Sequence, residues 1–157
     1  RQDPDIVMIG EIRDLETAQI AVQAALTGHL VFSTVHANNV FDVIGRFEHM
    51  DVDPYTFVAA LNGIVAQRLV RVLCNNCHGR GCAECRETGY RGRRAIGECL
   101  LMDDDLREMI ARRAPIKNIK DAARKRGTRL LRESAEDMVR SGLTNQEEID
   151  RITFARK

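Results

Sequence analysis

Tryptophan is absent, and aromatic residues of all kinds make up only 4% of this 157-residue chain. A core must therefore rest on Leu, Ile, Val and Ala. Surfaces that stack nucleic-acid bases need aromatic rings, and few are on offer. No apolar run approaches the roughly 20 residues that span a bilayer, and no signal-peptide pattern is present. The first residue is Arg1 rather than Met, so a portion of a longer protein is expected. Charge of one sign is also lacking overall, with a formal net charge of +1. It is unevenly spread: residues 1–73 carry 5 basic and 9 acidic groups, residues 74–157 carry 19 and 14. The basic half alternates with acids, which reads as a solvated helical surface rather than a nucleic-acid footprint. Within it Tyr90 is the only aromatic before Phe154.

What is present is a strand–helix–strand pattern. Ile6 to Ile9 form a short β-branched run without alternation, which predicts a strand buried on both faces, as in a parallel sheet. Asp14 then caps "LETAQIAVQAALT", a helix expected to be largely buried, and Gly28 stops it. "LVFSTV" (Leu30 to Val35) reads as a second strand, so the three elements make a βαβ unit. Helical spacing recurs in "NVFDVIGRFEHM". "DVDPYTFVAALNGIVAQRLVRVL" opens with Asp53 and Pro54 as helix N-cap and first residue, and its apolar positions up to Leu73 predict one long amphipathic helix. "RRAIGECLL" reads as a short strand holding Cys99 as a small core residue. Helices capped near Asp103, restarted at Pro115 and stopped at Gly127 and Gly142 follow. The last carries a capping box, Thr144 with Glu147.

Two groups of residues carry chemistry. Glu11 sits just past the first strand, and ligands bind outside the carboxyl ends of strands in open parallel sheets. A glutamate there can hold or deprotonate a water. His36 falls at the matching end of the next strand, on the same rim. The plainer alternative is a surface ion pair between Glu11 and Arg13 with His36 as a turn residue. The second group is "CNNCHGRGCAEC", whose two Cys-x-x-Cys pairs offer Cys74, Cys77, Cys82 and Cys85 to one tetrahedral zinc ion. Free thiols, or redox and disulfide chemistry, are the alternatives. Four protein ligands leave no open position, so the metal would be structural.

"RQDPDIVMIGEIRDLETA" and "TGHLVFSTVHANN" resemble the Walker B region and the histidine box of the secretion ATPases, which drive type II secretion and type IV pilus assembly. "VAQRLVRVLC", "TGYRGRRAIGE" and "GLTNQEEIDRITF" are similar to later parts of that family. The resemblance implies that Glu11 orders the attacking water, with Gly10 standing where many P-loop proteins have an aspartate. It implies that Arg13, His29 and His36 contact the nucleotide, and that a tetracysteine zinc subdomain occupies this place, usually with more chain between its pairs.

It further implies an α/β fold: a partial RecA-like P-loop sheet over 1–73, a zinc excursion over 74–92 and a mainly helical subdomain over 93–157. No G-x-x-x-x-G-K-[ST] loop occurs in the sequence. Nothing in it therefore cradles the phosphates of ATP or places Mg²⁺, and the chain alone is expected to be inactive. The family resemblance implies the C-terminal portion of a homohexameric ATPase, cytoplasmic and associated with the inner membrane through a platform protein and a cytoplasmic linker domain. A pilus-assembly motor is the alternative, and a non-catalytic zinc-stabilised docking module is the alternative of another class. Nucleic acid is not an expected partner.

Overall fold

The computed structural model describes residues 4–153. The start of the "RQDPD" stretch and Phe154 lie outside the described residues. The chain forms two compact units, each made of two segments: Arg1–Ile64 with Leu100–Thr128, and Val65–Cys99 with Arg129–Lys157.

In the first unit, β1 (Ile6–Ile9) and β2 (Leu30–Ser33) pair in parallel, Ile6 opposite Leu30 and Ile9 opposite Ser33. Helix α1 (Leu15–Leu26) makes the crossover, and the Asp14 side chain accepts the Thr17 N–H as expected of its cap. This is the βαβ unit the sequence predicts. Its burial differs from the expectation. Met8 is 75% and Phe32 54% exposed, and with Ile6 and Leu30, their neighbours on the same sheet face, they leave that face open. Helix α1 buries only Ala18, Ala21 and Val22. Both expectations rested on composition, which says how apolar an element is but not whether a neighbour is present to cover it.

Helix α2 (Val40–His49) is capped by Asn39, whose side chain accepts from the Phe41 and Asp42 N–H groups. It buries Val40, Phe41, Val43, Ile44 and Phe47. Helix α3 (Pro54–Ala60) packs on α1 and α4 (Asp104–Ala111), and α5 (Ile116–Lys125) packs on α4. Phe47 and Phe57 stack with ring centroids 4.3 Å apart.

The predicted long helix from Asp53 to Leu73 is not formed. Helix α3 ends at Ala60, and Gly63–Leu73 is a strand, β3. Asn62-Gly63 breaks the helix, and the β-branched residues beyond it favour an extended backbone. Burial alternates, with Ile64 and Val70 inside and Val65 and Leu69 outside. A Cβ on Gly63 would lie 3.1 Å from the Leu100 carbonyl oxygen, so the glycine also admits the neighbouring strand. That strand, β4 (Tyr90–Leu101), is longer than the sequence suggests. Cys99 lies in it as expected, but exposed rather than in the core. It occupies an outward position of the alternation that buries Ile96, Glu98 and Leu100.

The second unit packs Val70 and Ile96 against Leu131, Ala135 and Met138 of α6 (Leu131–Arg140) and Ile149 and Ile152 of α7 (Gln146–Ile152). Helix α7 is capped by Asn145, one residue later than the predicted Thr144. Thr144 is buried and its hydroxyl donates to the Arg71 carbonyl at 2.9 Å.

Candidate functional site

Glu11 lies two residues past the end of β1, and His36 three residues past the end of β2. Because the strands are parallel and in register, both arrive on the same rim. His36 Nε2 lies 3.0 Å from Glu11 Oε1. Arg13 closes the group from the other side, its Nε donating to Glu11 Oε2 at 2.6 Å and its Nη2 lying against the same oxygen. The Glu11 side chain is only 20% exposed, whereas Arg13 and His36 are largely open. Oε1 is shut off from solvent, and the His36 approach lies off the direction of a hydrogen bond, so no donor is aimed at it. The Arg13 hydrogen bond holds the Glu11 carboxyl below the usual carboxylate range, outweighing burial, with smaller contributions from the charges of Arg13, His36 and Arg46. The result is a fixed, ionised carboxylate held between a guanidinium and an imidazole, a group whose chemistry is to accept a hydrogen bond or a proton.

His29 is not brought to this group. It precedes Leu30, at the amino end of the strand pair, whereas Glu11 follows the carboxyl end. Four paired residues at about 3.3 Å each separate the two ends. Its Nδ1 lies 3.0 Å from the Ala24 carbonyl oxygen and 3.3 Å from Thr27 Oγ1, so the ring serves the turn between α1 and β2.

Sequence reasoning missed two contributors. Arg46 sits on α2 close enough to act on the Glu11 charge, and with Arg13 and His49 it lines a cleft of about 530 Å³. Asp42 ties the segment after β2 to α2, accepting from the Asn38 N–H at 3.3 Å and from Asn39 Nδ2 at 2.9 Å. The asparagine pair before a helical run was the available signal for that anchoring.

The cysteine excursion joins β3 to β4. The Sγ atoms of Cys74, Cys77, Cys82 and Cys85 all lie within 4.8 Å of one another. Cys74–Cys82 is 3.9 Å, and Cys77–Cys85 and Cys82–Cys85 are each 3.7 Å. Four thiolates at about 2.3 Å from a tetrahedral zinc stand about 3.8 Å apart, whereas a disulfide needs about 2.05 Å. The short linker therefore leaves room for a metal. It does so by turning at Gly79 and Gly81, both at φ 93°, a conformation side chains resist.

Backbone donors serve the sulfurs, the Gly89 N–H reaching Cys85 Sγ at 3.2 Å and the Cys82 N–H at 3.3 Å. The Cys85 N–H, followed by the Asn76 side chain, draws the Cys82 thiol down to about 6. For Cys85 burial opposes ionisation, yet the N–H groups of Cys82 and Gly89 bring it below its ordinary value, while burial raises Cys77. This donor set fits a cation that demands thiolates. His78 and Cys99 are not among the four.

The model of the family described as type II/IV secretion system protein matches residues 1–151. The chain belongs to this family. Among its members, the type II secretion system protein HxcR of Pseudomonas aeruginosa is 47% identical over 98% of the chain and 34% of its own length. The type II secretion system ATPase E of Vibrio cholerae is 43% identical over 98% of the chain and 35% of its own length. The type IV pilus assembly ATPase PilB of Thermus thermophilus is 42% identical over 95% of the chain and 20% of its own length. The chain thus spans about a third or less of these family members.

The crystal structure of the pilus retraction motor PilT with bound ADP superposes with a TM-score of 0.75 at 25% identity, over 96% of the chain and 40% of PilT. The α/β fold of the chain is therefore one found among secretion-family ATPases. Among the described residues no helix is long and apolar enough to cross a membrane.

Proposed function

We propose that the chain is part of a hexameric ATPase that powers type II protein secretion by assembling a pseudopilus. The observation that carries the reading is the juxtaposition of Glu11, Arg13 and His36 at the carboxyl ends of two parallel strands, in a chain of this family. On this reading β1 and β2 belong to a RecA-like sheet. Glu11 is its Walker B carboxylate and orients the attacking water. Arg13 holds Glu11 between turnovers and, with His36, faces the nucleotide. His29 supports the turn at the far end of β2.

Mg²⁺ and ATP would be placed by a phosphate-binding loop that this sequence does not contain. When bound, they supply the electrophilic phosphorus and the charge neutralisation of phosphoryl transfer. Zinc on Cys74, Cys77, Cys82 and Cys85 would be structural. The partners would be an inner-membrane platform protein and a cytoplasmic linker domain, with the motor on the cytoplasmic side.

The relative identities of 43% and 42% to a secretion ATPase and a pilus-assembly ATPase make pilus assembly the neighbouring reading. Phosphate release separates the active whole from its part. The full-length protein should turn over ATP, and its Glu11→Gln variant should lose at least about 100-fold in kcat. The 157-residue chain by itself should stay at the blank. Turnover by the chain alone, or an active Glu11→Gln enzyme, would sink the assignment.

A further inference from the structure

Thr34 makes two hydrogen bonds to the segment that carries Glu11. Its hydroxyl donates to the Gly10 carbonyl at 2.7 Å, and its own carbonyl accepts the Ile12 N–H at 3.0 Å. The paired register of the strands ends at Ile9 and Ser33, so both bonds lie beyond it. They bracket Glu11 on its two sides, one residue before and one after. On the leading side Gly10 has no side chain, and a Cβ built there would meet nothing within 4 Å. A glycine in open space is the most freely rotating link the backbone has. The hydroxyl of Thr34 therefore restrains the peptide that aims Glu11. The same residue stands two positions before His36, whose ring reaches Glu11 Oε1.

We infer that Thr34 is a positioning residue for ATP hydrolysis, clasping the Glu11 segment to the His36 segment so that carboxylate and imidazole keep a fixed separation. The inference rests on the proposed role of Glu11. Thr34 does not touch the reacting atoms; it acts through Glu11. A misplacement of about 1 Å costs a reaction on the order of 100-fold, whereas binding of nucleotide by the rest of the site would be unaffected.

The test uses the full-length protein. Thr34→Val keeps the shape and removes the donor; Thr34→Ser keeps the donor. Thr34→Val should lower kcat roughly 10- to 100-fold with KM within about twofold. Thr34→Ser should stay within about threefold of the parent. Each substitution changes at most one hydrogen bond, so melting temperatures should agree closely among the three. If Thr34→Val does not fold, Thr34→Ala removes the same donor and should show the same loss of kcat.

Parent-like kcat in a folded variant without the hydroxyl, or a Thr34→Ser enzyme as slow as Thr34→Val, would overturn the inference. So would a rate loss matched by a lower melting temperature. An active Glu11→Gln enzyme would remove the proposed function and this inference together. An inactive Glu11→Gln beside an unimpaired Thr34→Val would remove the inference alone.

Discussion

Glu148 accepts hydrogen bonds from two arginines while fully buried. The Arg71 N–H reaches Oε1 at 3.0 Å, and the Arg71 guanidinium reaches Oε2 at 2.9 and 2.6 Å. Arg151 adds bonds of 2.9 and 2.8 Å, one to each oxygen. Burial alone would raise the carboxyl, but the two arginines and the Arg71 N–H outweigh it and draw it from 4.5 to about 2. A folded value below the unfolded one means stability that is present above pH 4.5 and is lost as pH falls from there to about 2. A displacement of this size corresponds to about 3 kcal/mol. Glu148→Gln should therefore cost about 3 kcal/mol at pH 7 and flatten the acid limb. Urea melts of both proteins at pH 7, 4 and 3 check this; parallel pH profiles would refute it.

No sequence pattern points to Glu148. The local pattern favoured Glu147 in a capping box, and the residue that decides which glutamate turns inward, Arg71, is 77 positions away. Glu11 and His36 were legible for the opposite reason. Each follows a strand directly, so local order and parallel pairing suffice to bring them together. The clasp by Thr34 was not, since a hydroxyl at a strand end has no distinguishing spacing.

The elements divide in the same way. The βαβ unit and most helix caps could be read because apolar period, N-cap and stop signals agree. β3 could not, because its apolar residues satisfy a helical stripe and a strand alternation alike, and only the Asn62-Gly63 break and the β-branched residues after it favour the strand. The cysteine excursion was legible in its ligands but not in its fit. That fit depends on Gly89, buried at φ 77°, where a Cβ would lie 2.5 Å from the Gly79 carbonyl oxygen. The backbone of one half of the excursion passes against the other there, so Gly89→Ala should open the sulfur cluster and weaken zinc retention at least about tenfold.

Thiol counting provides a direct readout. Of five cysteines, Cys99 is exposed and the other four form the cluster. With zinc bound, one thiol should react quickly with an aromatic disulfide reagent and four slowly; a strong chelator should release about one zinc and make all five fast. Five fast thiols before chelation, with no zinc released, would argue against the site.

At the scale of the molecule, the open face of β1 and β2 decides how the chain behaves alone. A parallel sheet is ordinarily covered on both faces, yet here Ile6, Met8, Leu30 and Phe32 share an uncovered one, with Met8 75% and Phe32 54% exposed. The chain accounts for 34% of the length of its relative HxcR. We predict that the remainder of the full-length protein, or another subunit, lies on this face. Burying a Met or Phe side chain contributes about 1.5–3 kcal/mol, so replacing both with a charge should act differently in the two settings. In the 157-residue chain, Met8→Lys with Phe32→Lys should leave the melt almost unchanged, because solvent-facing substitutions stay within about 0.5 kcal/mol each. It should also reduce self-association and dye binding, since an apolar patch is removed. In the full-length protein the same pair should cost about 3 kcal/mol or more. Matched melting and sedimentation measurements on the four proteins decide it. A full-length protein as tolerant of the two lysines as the short chain would mean that the face stays open in the whole protein, and the sheet would then be held by its helical side alone.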